Sequence, residues 1–337
     1  MTSTLRAVIF GCSGPVLSAA ERGFFAQSQP WGAILFARNI ESPAQLRALT
    51  ADLRAAVGRD MPILIDQEGG RVQRMGPPHW RGWMPALDQG AQARDPVRAM
   101  YLRGRLLAAE LRDVGIDVNC APLADIATAQ THPILRNRCY GSTLPDVVAR
   151  ARAMADGLMA GGVLPVLKHI PGHGRALRDS HLDLPVVDAS DPELRAHDFA
   201  AFAALRDLPL GMTAHLLYRA FDALAPATTS ARMIRLIREE IGFEGVLMTD
   251  DISMQALCGS VAERGQAALQ AGCDLVLHCN GDMAEMEALA AICPTLSGGA
   301  ALRAATALAA RRAPDASDPH ALAAEYDSLM PETEPQP

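Results

Sequence analysis

Eight short apolar runs punctuate the chain, and each gives way within two positions to a glycine, a proline or a polar residue. They are Ala7 to Phe10, Gly32 to Phe36, Pro62 to Ile65, Ile116 to Cys120, Val163 to Leu167, Pro209 to Thr213, Gly245 to Thr249 and Asp274 to His278. Runs this short, rich in Ile, Val and Leu, read as strands buried on both faces. Helical stretches alternate with them: Ser42 to Val57, Pro96 to Val114, Leu144 to Ala160, Ser230 to Ile241, Val261 to Ala271 and Asp282 to Cys293. Pro43 behind Ser42 marks a helix start and Gly272 behind Ala271 a helix stop. Eight strand–helix units in about 290 residues predict a single-domain (β/α)8 barrel. A doubly wound sheet would place G-x-G-x-x-G after its first strand. Gly11-Cys12-Ser13-Gly14-Pro15 stands there instead.

A barrel gathers all strand ends on one face, where active sites form. Asp66, Lys168, His169, His215 and Asp250 each follow an apolar strand. The densest stretch runs from Lys168 to Pro185 and holds His169, His173, His181, Asp179 and Asp183. Pro171-Gly172 and Gly174 exclude a helix, so the stretch reads as a long polar loop at a strand exit. Ionisable groups on a loop held by a rigid strand suit chemistry better than a merely solvated loop.

Beyond the eighth unit the pattern changes. The barrel is expected to span 1–297, a helical extension packed on it 298–330, and a disordered proline-rich tail 331–337. Ala300 to Ala313 and Pro319 to Leu329 supply the extension's helices.

Composition narrows the partners. Aromatics are only 4% of residues and the net charge is -7, without a basic block, which disfavours nucleic acid and anionic membrane surfaces. No apolar leader or membrane-length apolar stretch is present. The seven cysteines are scattered and form no C-x-x-C, which fits a reducing cytoplasm. His169, His173 and His181 could be weighed as metal ligands, but Pro171-Gly172 keeps the first two off one helical face and H-E-x-x-H is absent. No metal or cofactor is expected.

The residue types suggest roles. Asp250, at a strand end, could attack an electrophilic carbon, hold a metal or cap the next segment; Asp251 suits the cap better. Asp179 lies two residues from His181, close enough to accept its ring N–H and bias it for acid–base work, or to make only a local loop bond. Asp66, Arg74, Arg138, Lys168 and His169 come from separate loops of one face and suit a polyhydroxylated ligand. Singly, each arginine would more often be an ordinary surface or ion-pair residue.

Four stretches carry a family likeness: Ile65 to Arg74, Lys168 to Gly174, Asp179 to Pro185 and Thr249 to Met254. Weaker echoes are Gly32 to Asn39 and Ala271 to Asp274. Together they resemble glycoside hydrolase family 3, and within it the single-domain bacterial cytoplasmic β-N-acetylglucosaminidases. The likeness covers roughly residues 7 to 295. It implies that Asp250 is the nucleophile, that Asp179 and His181 form an acid/base dyad, and that Asp66, Arg74, Arg138, Lys168 and His169 bind sugar. It further implies release of terminal N-acetylglucosamine from anhydro-muropeptides, with or without peptide, during cell-wall recycling. Cys139-Tyr140 depart from the Ser-Phe usual in the family, and Arg136 replaces a small residue. A β-glucosidase or β-xylosidase, a metal-dependent barrel hydrolase and a non-catalytic sugar-binding regulator are the competing readings.

Overall fold

A computed structural model describes residues 5–177 and 184–331. Ten strands occur among them: β1 (Arg6–Gly11), β2 (Pro30–Leu35), β3 (Ile63–Ile65), β4 (Val118–Asn119), β5 (Leu164–Ile170), β6 (Val186–Val187), β7 (Leu210–Thr213), β8 (Leu217–Tyr218), β9 (Val246–Asp251) and β10 (Leu275–His278). Eight of them close a barrel in the order β1-β10-β9-β7-β5-β4-β3-β2. Every neighbouring pair in it is parallel. The chain is a single (β/α)8 barrel. A small parallel pair, β6 with β8, stands apart and has no counterpart in the apolar pattern.

Alternation along the strands divides the core. Ala7 and Ile9 of β1 point into the barrel with Leu64, Val118, Val166, Met212, Met248 and Leu277. Val8 and Phe10 point outward into the layer shared with the helices. Burial on both faces is why these strands read as continuous apolar runs. Helix Pro43–Val57 starts where Ser42 accepts the Gln45 N–H, and helix Pro96–Asp113 where Asp95 accepts that of Arg98. Each side chain satisfies one of the free N–H groups of a first turn.

Two expectations about strand ends need correction. β5 continues through Ile170, paired with Thr213 of β7, so Lys168 and His169 sit on the strand rather than on a loop. β9 likewise runs through Asp251. Rim carboxylates and cations on strands are held more tightly than loop residues would be.

Beyond β10, helix Gly298–Ala309 places Ala304 and Ala307 in the inner cluster, and Arg303 grips Asp274 at the entry to β10 at 2.6 and 3.0 Å. Arg311 pairs with Asp60 and Asp117. These contacts cover the barrel end opposite the strand exits. Helix Pro319–Leu329 packs against helix Pro96–Asp113, with Tyr326 buried and Arg98 on Glu325 at 2.6 Å. No helix among the described residues is long and apolar enough to cross a membrane.

Candidate active site

The strand exits surround a cavity of about 130 Å³, open to solvent, whose lining includes Asp66, Arg74, Arg138, Lys168, His169 and Asp250. Asp179 and His181 lie outside the described residues.

Asp66 leaves β3 into a loop organised by buried Gln67. Gln67 exchanges hydrogen bonds with Asn119: its N–H donates to Asn119 Oδ1, and Asn119 Nδ2 donates to its carbonyl, both at 3.0 Å. The Gln67 side-chain oxygen then accepts the N–H groups of Arg74 (2.9 Å) and Met75 (3.0 Å). A single buried amide thus folds the loop back so that Arg74 reaches Asp66, at 3.5 Å. The reversal needs Gly69 and Gly70, at φ +109° and +57°. Arg74 and Arg38 both lie against the Phe36 ring, at 5.4 and 5.0 Å from its centre.

Lys168 is almost wholly buried, yet carries two carboxylates: Asp66 at 2.8 Å and Glu68 at 2.7 Å. Burial alone would lower its ammonium; the two carboxylates outweigh that and hold it above the usual lysine range. Glu68 also takes Arg138 in a bidentate fork, at 2.8 and 2.9 Å. Burial would raise the Glu68 carboxyl, but Arg138 and Lys168 draw it well below the ordinary value. The result is an alternating chain, Arg74–Asp66–Lys168–Glu68–Arg138, whose members restrict one another's geometry.

His169 is oriented from behind. Its Nδ1 lies 2.7 Å from Asp125 Oδ2, and Asp125 Oδ1 accepts the His173 N–H at 2.6 Å. The His169 and His173 rings meet edge to face at 5.3 Å. Burial alone would raise the Asp125 carboxyl; His169 and His173 pull it below the usual range. On the other side, His215 places Nε2 on the Asp251 carbonyl at 3.0 Å and Nδ1 on the Thr228 hydroxyl at 2.7 Å. A carbonyl only accepts, so Nε2 carries the proton. Burial depresses the His215 pKa, which favours the neutral ring.

Asp250 stands between these histidines, half-buried at the end of β9. Burial would push its carboxyl up. His169, His215, the Asp251 N–H at 2.8 Å and Lys168 overcome that and lower it to about 2. The expected helix cap is not there: β9 runs into a turn and the next helix starts at Val261, capped by Ser260, while the Asp251 carboxylate accepts the Ser253 N–H at 3.1 Å and its hydroxyl at 2.7 Å within that turn. Asp250 is therefore an ionised carboxylate at neutral pH, suited to attack or to stabilise positive charge and unsuited to donate a proton.

Glu68, Asp125 and Gln67 were absent from the sequence-derived set, although Gln67 and Glu68 fall inside one of its motifs. Nothing in the local pattern separates Glu68 from the solvated glutamates elsewhere. Among the described residues, no group of three His, Cys, Asp or Glu side chains could hold a metal ion.

A barrel whose rim brings a fixed carboxylate to a cavity lined with charged hydrogen-bonding groups is the framework of a carbohydrate-cleaving enzyme. Residues 13–311 match the glycosyl hydrolase family 3 N terminal domain, and the chain belongs to that family of glycoside hydrolases. It is similar to a Beta-hexosaminidase of Alkalilimnicola ehrlichii, 39% identical over 81% of this chain and 80% of that protein. A Beta-hexosaminidase of Methylococcus capsulatus is also 39% identical, over 81% and 82%. Among solved structures, NagZ from Neisseria gonorrhoeae in complex with N-trifluoroacetyl-D-glucosamine superposes with a TM-score of 0.82 at 28% identity, covering 96% of each chain.

Proposed function

We propose that the chain is a retaining exo-β-N-acetylglucosaminidase, acting in the cytoplasm on N-acetylglucosamine-anhydro-N-acetylmuramic acid with or without its peptide. The observation that carries this reading is the Asp250 carboxylate, placed at the end of β9 in the lining of the cavity beside Lys168 and His169. The hexosaminidase names of its relatives, and the acylated glucosamine bound by the Neisseria protein, support the choice of sugar.

In the first step an Asp250 oxygen bonds to the anomeric carbon. The bond to the leaving oxygen breaks, and His181 protonates that oxygen. In the second step His181 takes a proton from water, the water oxygen bonds to the same carbon, and Asp250 leaves. Asp179 orients the imidazole and favours its charged form. Two displacements return the sugar with its configuration retained. Asp66, Arg74, Arg138, Lys168 and His169 bind the sugar's hydroxyl and acetamido groups from fixed positions, so their ordering cost is met on folding rather than on binding.

Hydrolysis of nitrophenyl N-acetyl-β-glucosaminide, β-glucoside and β-xyloside tests the reading. The N-acetylglucosaminide is expected to be preferred, with the β-anomer released first by NMR and no turnover by Asp250→Ala. Preference for the glucoside or xyloside, or first release of the α-anomer, would overturn it. Release of N-acetylglucosamine from a purified anhydro-muropeptide tests the natural substrate.

A further inference from the structure

Behind Glu68 the structure continues as a buried chain of hydrogen bonds that reaches the far C-terminal helix. Arg103, on helix Pro96–Asp113, is fully buried. Its Nη2 donates to the Glu68 carbonyl, and its Nη1 donates to the Met84 carbonyl at 3.0 Å and to Gln89 Oε1 at 2.7 Å. That same Gln89 oxygen accepts the Tyr326 hydroxyl at 3.0 Å. The Tyr326 ring packs edge-on against Trp83 at 5.2 Å, and Arg103 lies over Trp83 at 5.6 Å.

Two features set Arg103 apart from a routine structural arginine. It forms no ion pair among the described residues, although a guanidinium out of water ordinarily demands a carboxylate. Its acceptors are two main-chain carbonyls and one amide oxygen. It also reaches the main chain only because residue 69 has no side chain: a Cβ on Gly69 would lie 1.8 Å from Arg103 Nη2. The guanidinium occupies the space a side chain would take, directly behind the peptide that presents Glu68 to Lys168 and Arg138.

We propose that Arg103 is a positioning residue of the active site, fixing the Glu68 main chain so that one carboxylate serves Lys168 and Arg138 together, and that Tyr326 of helix Pro319–Leu329 supports it through Gln89. The C-terminal helix is thereby part of the sugar-binding apparatus although it lies outside the barrel. The inference uses the glycosidase reading for its assay, and Glu68 is the link through which Arg103 acts.

A double-mutant cycle tests it. Arg103→Lys keeps charge but loses the fork, and is expected to lower kcat/KM by about tenfold, chiefly through KM. In a Glu68→Gln background the same change is expected to cost less than about twofold, because coupled sites are non-additive. Equal losses in both backgrounds, or a loss that follows the unfolded fraction, would overturn the proposal. Tyr326→Phe removes only a hydroxyl and keeps the cycle readable if Arg103→Lys does not fold. A loss of about threefold alone and none with Glu68→Gln is expected, and no loss, or an additive one, counts against it. Both cycles use whichever aryl β-glycoside the wild-type enzyme hydrolyses fastest. A wild type inactive on the N-acetylglucosaminide would sink the substrate assignment and leave the cycle intact.

Discussion

The Glu68 carboxylate accepts two N–H groups of Arg138, at 2.8 and 2.9 Å, while Lys168 stands 2.7 Å from one of the same oxygens. One carboxylate therefore serves two largely buried cations of the cavity lining, of which Lys168 also has Asp66. Glu68→Ala would leave Arg138 without its carboxylate and Lys168 with Asp66 alone, and a loss of about 3–5 kcal/mol is expected, because removing one partner of a buried pair leaves an uncompensated charge. Urea unfolding of the wild type and the variant measures it. A change under about 1 kcal/mol, the scale of an exposed pair, would mean that water reaches the network.

Asp250→Ala should lower kcat/KM by about 10⁴-fold or more, the scale of removing a nucleophile. Its circular dichroism spectrum and Tm should stay near those of the wild type. A 5-fluoro glycosyl probe followed by peptide mass spectrometry should place the sugar on Asp250. Label on another residue would end the nucleophile assignment.

For the acid/base role the informative variable is the leaving group. Nitrophenol needs little protonation, whereas a sugar alcohol needs much. His181→Ala is therefore expected to slow a natural disaccharide far more than a nitrophenyl substrate in kcat/KM. Asp179→Asn should slow both steps while leaving the histidine in place. Equal losses on the two substrates would make His181 a binding residue and shift the proton transfer elsewhere.

Stability should depend on pH through the buried histidines. Burial, with His169 beside it, lowers His173 to about 4, against about 6.5 for a free imidazole. His215 moves the same way, chiefly through burial. Between these values the unfolded chain binds protons that the folded chain does not, so stability rises with pH. It is full above about pH 6.5 and declines as pH falls toward about 4. The urea midpoint should drop between pH 7.5 and 5.5, and by less in His173→Asn. An identical drop in that variant would exclude His173 as a source.

Dialysis against EDTA should leave turnover unchanged, since the proposed steps use only side chains and water. Loss of activity that added zinc restores would revive the metal-dependent reading.

The strands and the rim were legible because each depends on local pattern. A strand buried on both faces must be apolar throughout, so its polar neighbours announce its end. Asp66, Lys168, His169 and Asp250 could be proposed for the rim on that basis alone. Lys168 and His169 were nonetheless read as loop residues, because charge usually marks a strand exit. Here Asp66, Glu68 and Asp125 neutralise or anchor them inside β5.

Local pattern therefore established the barrel, the order of its units and the residues presented at its open end. Partnership was decided by closure of the barrel. Asp125 meets His169 across 44 positions, Glu68 meets Arg138 across 70, and Tyr326 meets Gln89 across 237. A glutamate that bridges two buried cations has the same local sequence signature as one in water. Which it is depends on the charges that other strands bring within about 3 Å, and on the water they exclude.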